Sequence, residues 1–194
     1  MKQDLGNGFH TESISKNVYD SFRKIHEPLI FPNRFDINVQ DALSPVEHQS
    51  AISLGKDLGN PFELRLGLFH GKKMIGWSYG IQISADTFRM VTTGIEPDYQ
   101  RRGIYSALLG ILANHIQGKG FQCIFSRHYA TDNQVIIPKL RFGFLISGFE
   151  LTDEYGLLLR LSYFFNKTRR KILHVRSGLQ QLDDEVRRLI RRYD

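Results

Sequence analysis

The stretch GIEPDYQRRGIYSALL, residues 94–109, decides the fold. It begins at the end of FRMVTTGI (residues 88–95), a strand-like run rich in β-branched and apolar residues. Pro97 turns the chain, and from Gly103 the apolar period becomes helical. Ile104, Leu108, Ile111 and Leu112 share one face, with Ala107 beside them. Arg101, Arg102 and Gly103 lie at the junction. A helix start exposes unpaired N–H groups and a partial positive charge. A residue without a Cβ lets an anion approach that backbone. The stretch therefore reads as an anion site. It is not a P-loop, which needs a longer glycine-rich loop ending in Lys and then Ser or Thr. It also lacks the G-x-G-x-x-G of dinucleotide sites.

The remaining elements are read outward from this unit. FELRLGLF (62–69) and MIGWSYGIQIS (74–84) are strands joined by an HGKK turn, and Gly94 suggests a bulge or a close backbone approach in the next strand. Further upstream, Ser44, Pro45 and Glu47 form a capping box that should start a helix running to about Asp57. RFDINV (34–39) reads as a short strand. Residues 12–26 place Ile14, Val18, Phe22 and Ile25 on one helical face, ending at Pro28. Downstream, Gly118 and Gly120 stop the helix, and FQCIFSR (121–127) is a buried strand. Residues 132–144 are a short helix capped by Asp132, bent or restarted at Pro138, with Gly143 past its end. FLISGFEL and GLLLRLSYFF make a final antiparallel pair. The order implies an α+β (mixed α/β) fold with a mainly antiparallel central sheet flanked by helices.

Of the 194 residues, 41% are apolar and 24% charged, the balance of a chain that buries a core. No apolar run is long enough to span a membrane, the first ten residues carry no secretory core, and Cys123 is the single cysteine. The expectation is a cytoplasmic protein without disulfides, and the histidines show no metal-site spacing. Residues 166–194 carry nine Lys or Arg against four Asp or Glu, most of the net charge of +6. Ser177 and Gln180 suggest a capping box for a tail helix with Leu179, Leu182, Val186, Leu189, Ile190 and Tyr193 on one face. Asp183 with Arg187, and Asp184 with Arg188, are spaced to pair along it. Such a helix should dock on its own core or on a second subunit, as in a homodimer. Its apolar face points to packing, and no aromatic platform accompanies its charge, so nucleic acid is not the expected partner.

The residues IEP (95–97) and QRRGIY (100–105) resemble the acetyl-CoA motif of the GNAT superfamily of N-acetyltransferases: an apolar residue, any residue and Pro, then (Gln/Arg)-x-x-Gly-x-(Gly/Ala). Tyr105 departs from it, standing where Gly or Ala is usual. Asn133 and the later FGF (142–144) match the family's Asn-containing helix with its GF end. The resemblance covers about residues 35–165, leaving residues 1–34 as an N-terminal helical extension and 166–194 as a basic amphipathic C-terminal helix. It implies a sheet splayed between the fourth and fifth strands, with the cofactor's pantetheine arm in the gap. The backbone of Arg101, Arg102, Gly103, Ile104, Tyr105 and Ser106, led by Gln100, would hold the pyrophosphate. The strand edge at Thr93, Gly94 and Ile95 would pair with the pantetheine amides, and Asn133 would bond the arm.

The resemblance further implies transfer of an acetyl group from acetyl-CoA to a primary amine by direct attack, with no metal. The alternative is an acyl-CoA-binding module of the same fold without catalysis. A base must keep the amine neutral, an N–H must meet the oxyanion, and an acid must protonate the thiolate. The family's usual Tyr acid falls at Lys139, which could donate a proton or bind phosphate. Counting back from Asn133 gives His128 as the acid/base residue, with Tyr129 beside it facing the other way. Glu96 is expected to point to solvent beside the cofactor loop. Phe62, Phe69, Trp77, Tyr79 and Phe88 serve equally as acceptor-pocket wall or as core. Cys123, inside an apolar strand, reads as inert packing.

Overall fold

The computed structural model describes residues 1–32 and 38–190. Its strands are β1 (Lys2–Gly6), β2 (Phe9–Ser13), β3 (Glu63–His70), β4 (Lys73–Gln82), β5 (Thr87–Ile95), β6 (Cys123–Tyr129), β7 (Leu145–Thr152) and β8 (Gly156–Phe164). Its helices are α1 (Lys16–Ile30), α2 (Pro45–Lys56), α3 (Ile104–Gly118), α4 (Asn133–Phe142), α5 (Lys167–Arg176) and α6 (Asp184–Arg187). The strands form one sheet in the order β1-β2-β3-β4-β5-β6-β8-β7. Every neighbouring pair is antiparallel except β5 and β6, which are parallel because α3 crosses over between them. The expected mixed, mainly antiparallel sheet flanked by helices is what forms.

The main core lies between the sheet and α3. Ile104, Leu108, Leu112 and Ile116 recur at helical spacing and pack against Leu64, Leu66, Phe88 and Ile124 of the strands. Ser44 caps α2 as the sequence predicts: its hydroxyl accepts from the Glu47 N–H, and the Glu47 carboxylate accepts from the Ser44 N–H. Local signals alone hold this helix, since it buries no side chain.

The N-terminal segment differs from the expected helical extension. Residues 1–13 form the β1–β2 hairpin, and β2 joins the sheet by pairing with β3. Asn7 and Gly8 turn it with φ of 54° and 77°, both in the left-handed region that a tight hairpin turn requires. Helix α1 follows, but Pro28 does not end it. The chain completes another turn, with the Phe31 N–H bonded to the Glu27 carbonyl and the Phe31 ring set edge-on to Trp77. The buried face of α1 is also rotated from the expected one. Tyr19 is buried against Tyr79, and Phe22 meets Trp77, while Val18 and Ile25 are exposed. Aromatic partners on β4 decide the face. Most of the strand expected at RFDINV lies outside the described residues, and Val39 opens a short 3₁₀ turn instead.

The tail also departs from expectation. Ser177 ends α5 rather than capping a new helix, and Gly178 turns the chain with φ of 76°. The Lys171 ammonium then draws back Asp183 (2.6 Å) and Glu185 (2.5 Å), and only Val186 of the expected apolar face is buried on α6. Leu179, Leu182, Leu189 and Ile190 are exposed, and Tyr193 lies outside the described residues. Among residues 177–190 no continuous helix forms, so the single apolar helical face expected there is not built. Among the described residues no helix is long and apolar enough to cross a membrane.

Candidate functional site

The site is built where β5 and β6 part. Their pairing comprises Thr87 with Cys123, Phe88 with Ile124 and Arg89 with Phe125, and goes no further. β5 continues to Ile95 and β6 to Tyr129, so their facing edges run apart into a gap. A bulge marks the point of divergence. Against β4, Tyr79 pairs with Thr92 and Gly80 with Met90, which leaves Val91 as the extra residue. A bulge bends its strand and increases the local twist, here steering β5 away from β6. The expected splay is therefore present, between the fifth and sixth strands once the N-terminal hairpin is counted. Gly94 serves close packing rather than the bulge: a Cβ there would lie 2.5 Å from the Trp77 ring.

Beyond Ile95 the chain makes a 3₁₀ turn at Pro97–Tyr99 and enters α3 through Gly103. Gly103 has φ of 78°, and a Cβ at that position would meet nothing within 4 Å. The helix entry thus needs glycine for its backbone and leaves open space above it. No side chain caps the helix, and its first internal acceptor, the Gly103 carbonyl, is taken by Ala107 at 3.1 Å. The N–H groups of Ile104, Tyr105 and Ser106 are left for an external partner.

The polar residues of the loop divide by role. Gln100 donates from Nε2 to the Ile95 carbonyl at 2.9 Å and pins the loop to β5. Arg102 donates to the Asp98 carbonyl and lies over Tyr99, so it braces the turn. Arg101 is exposed, adopts φ of 60°, and makes no side-chain bond among the described residues. Glu96 does not point to solvent: it pairs with Lys73 (2.6 Å) and His26 (3.1 Å) and ties α1 to this end of the sheet. Tyr105 packs its ring against the core, where burial and the Asp132 carboxylate raise its pKa and keep the phenol neutral. Its side chain turns inward from the helix start, so it does not fill the place above Gly103. A cleft of about 230 Å³ continues between α3 and α4, lined by Ser106, Leu109, Pro138, Arg141 and Phe142. Asn133 is exposed in the first turn of α4, and Thr93 bonds Ser78 across β5 and β4 at 2.9 Å.

Lys139 sits at the apex of the gap. It is fully buried, donating to Ser126 Oγ at 2.7 Å and approaching Met90 Sδ at 3.4 Å. Met90 and Ser126 are the first residues of β5 and β6 past their last pair, so the ammonium bridges the two strands where they separate. It also lies 4.6 Å from the Phe144 ring centre. α4 holds this position because it runs unbroken through Pro138 and closes at Gly143, with the Phe144 N–H bonded to the Lys139 carbonyl at 2.9 Å. Lys139 is therefore enclosed in the core rather than presented at the solvent-facing anion loop. Burial lowers its pKa to about 7, opposed by the nearby Asp132 carboxylate.

His128 Nε2 lies 2.8 Å from the same Ser126 hydroxyl, and Nδ1 lies 3.9 Å from Asp132. Burial, then the charge of Lys139, lowers the His128 pKa to about 3. The ring is neutral, which removes the reason for choosing it as a base of ordinary histidine strength. The consistent arrangement is a directed chain: Lys139 donates to Ser126, Ser126 donates to Nε2, and Nδ1–H faces Asp132. Tyr129 follows on the opposite face of β6 and is not part of the chain. Sequence reasoning missed Ser126, although Ile124, Ser126 and His128 fall on one face at period two, and a serine there is the polar exception.

No protein-family model and no curated protein matches the sequence. Solved structures do match its architecture. The ribosomal-protein-S18-alanine N-acetyltransferase from Escherichia coli is 16% identical, with a TM-score of 0.59 over 81% of this chain and 94% of that one. Spermidine N-acetyltransferase from Vibrio cholerae, in complex with CoA and spermine, is 12% identical, with a TM-score of 0.59 over 82% and 96%. A GNAT family acetyltransferase from Elizabethkingia anophelis with acetyl-CoA bound is 11% identical, with a TM-score of 0.57 over 82% and 100%. At these identities the likeness is one of architecture, and the chain has the fold of the GNAT superfamily of N-acetyltransferases.

Proposed function

We propose that the protein is an N-acetyltransferase that moves the acetyl group of acetyl-CoA to a primary amine by direct attack. The observation that carries this reading is the parting of β5 and β6 beside a helix entered through an uncapped, positive-φ glycine. That pairing offers one linear ligand an anion cradle at one end and unpaired strand edges at the other. In this reading the pyrophosphate lies on the N–H groups of Gly103, Ile104, Tyr105 and Ser106, with Arg101 as the free cation. The pantetheine arm follows the β5 edge at Thr93, Gly94 and Ile95, with Asn133 at its side, and the structures containing acetyl-CoA or CoA support a ligand of this shape.

The chemistry then falls to the buried chain at the apex. The amine nitrogen attacks the thioester carbonyl carbon, and a β5 N–H meets the developing oxyanion. As the carbon–sulfur bond breaks, the Ser126 hydroxyl turns from His128 Nε2 to the thiolate, passes its proton to the sulfur and takes one from the Lys139 ammonium. The proton lost by the amine leaves to solvent, and Lys139 is reprotonated from solvent after turnover. Lys139, with its pKa near neutrality, replaces the missing tyrosine as the proton source. Neutral His128 orients Ser126 and is a positioning residue.

Titration of acetyl-CoA by calorimetry tests the donor site. Ser106→Glu places a negative charge in the first turn of α3, which favours the helix but repels pyrophosphate. The expected result is saturable binding to the native protein and at least a tenfold loss in the variant, without a lower melting temperature. No binding to the native protein, or equal binding to both, overturns the reading. Tight acetyl-CoA binding with no CoA release across an amine panel favours the non-catalytic module, whose supporting observation is the sealed burial of Lys139.

A further inference from the structure

The face of the gap opposite Lys139 has a chemistry that the transfer reaction does not use. Side chains alternate along a strand, so Phe88 and Met90 turn toward α3 and α4 while Arg89 turns away from them. By the same alternation Ser126 and His128 face α4, and Phe125 and Arg127 face the opposite side. Arg160 stands directly across from Arg127 on β8, with its guanidinium 4.0 Å from the Phe125 ring centre. Three arginines on adjacent strands thus share one face, and Arg89 belongs to the last pair before the strands separate. Like charges directly opposite each other destabilise a sheet, so the cluster is not explained by sheet formation.

Two carboxylates already answer part of this charge: Arg127 donates to Glu150 at 2.5 Å, and Glu150 and Glu154 both act on Arg89 through space. Arg89 has no ion pair or side-chain hydrogen bond among the described residues, and its Nε is sealed from solvent without a partner. The Arg127 Nε is likewise buried and unbonded. Burial, then the charge of Arg127, lowers the Arg89 pKa, opposed at a distance by Glu150, Tyr155 and Glu154, none of which bonds the guanidinium directly. A half-buried guanidinium is costly unless an anion completes it.

We infer that Arg89, with Arg127 and Arg160, forms a carboxylate subsite on this face of the gap, and that the acceptor is an amine carrying a carboxylate. The acceptor clause rests on the transfer reading above; the subsite stands on the arginine cluster itself. A donor lying along the α3 and α4 side leaves this face for the acceptor's approach. The planar guanidinium offers two parallel N–H donors to a carboxylate, the group that Glu150 already presents to Arg127.

The test presents the intact protein with matched pairs of N-acetylated α-amino acids and their amides, read by protein-detected NMR titration. The best carboxylates are expected to bind about 10- to 100-fold more tightly than their amides, the range for charge-assisted bonds. Arg89→Met should erase that difference, and Arg89→Lys should retain part of it. Melting temperature and acetyl-CoA affinity, measured for each variant, verify the fold and separate the two readings. If acetyl-CoA fails to bind while the Arg89-dependent carboxylate preference persists, the donor reading falls and the subsite stands. Equal binding of acids and amides, or a preference that survives Arg89→Met, overturns the subsite. Stronger binding of O-phosphoethanolamine than of any carboxylate overturns the assignment to carboxylate.

Discussion

Replacing Lys139 by Met keeps a long unbranched stem in the core and removes the charge. The ammonium touches Ser126, Met90 and the Phe144 ring, all neutral, and the carboxylate of Asp132 is the one full negative charge acting in its favour. Its folded pKa, about 7, lies well below the ordinary 10.5. Between these values the unfolded chain binds one more proton at this residue than the native protein does. Native stability therefore rises with pH in that window, at up to about 1.4 kcal/mol per pH unit. From pH 7 to pH 9 the accumulated gain is about 2 kcal/mol, because the site is already half neutral at the start of the interval. Urea denaturation of both proteins at pH 6, 7, 8 and 9 isolates this contribution, since other titrating groups largely cancel in the difference. Lys139→Met should be the more stable protein at neutral pH, with its advantage shrinking by about 2 kcal/mol toward pH 9. Parallel stability curves for the two proteins would refute the argument, and with it the claim that Lys139 changes protonation near neutrality.

Three further outcomes follow from the structure. In native protein, kcat/KM should fall above about pH 7 as Lys139 loses its proton, and that limb should vanish in Lys139→Met; Ser126→Ala should lower kcat about 100-fold at unchanged acetyl-CoA affinity, as measured by CoA release and calorimetry. Gly103→Ala should cost about 1–2 kcal/mol through backbone strain alone, since its Cβ meets no neighbour, and thermal melts should show a loss of several degrees.

The parts of the fold written in local chemistry were legible. Ser44 and Glu47 close a capping box whatever surrounds them, and Gly103 announces a helix entry because few other residues tolerate its φ. Asn7-Gly8 was equally local, a strong hairpin signal between two short runs, but those runs are too polar to read as strands by alternation. What stayed hidden depends on partners distant in sequence. The buried face of α1 is chosen by Trp77 and Tyr79, some sixty residues away, and the tail folds back because Lys171 finds Asp183 and Glu185. The candidate acid/base residues were legible as positions but not as chemistry. His128 was located by counting, yet its loss of basicity comes from enclosure and from Lys139, neither of which a spacing can show.

The two faces of the β5–β6 gap hold charge differently, and this gives the proposed reaction a direction. On the α4 side, Lys139, Ser126 and His128 are enclosed, and His128 is held neutral while Lys139 titrates near neutrality. Charge on that side is cheap to move as a proton and costly to keep. On the other side the three arginines are permanently charged, and the Arg89 Nε is buried without a hydrogen-bond partner. In the proposed reaction an anionic acceptor would be drawn to the arginine face and away from the enclosed one, while the donor's phosphates would sit at Arg101 and the α3 start, a separate place beyond the far end of β5. On that proposal the β5–β6 splay would keep these anions apart and bring only the neutral amine and the thioester together. A single continuous basic groove could bind both substrates but would not distinguish their ends.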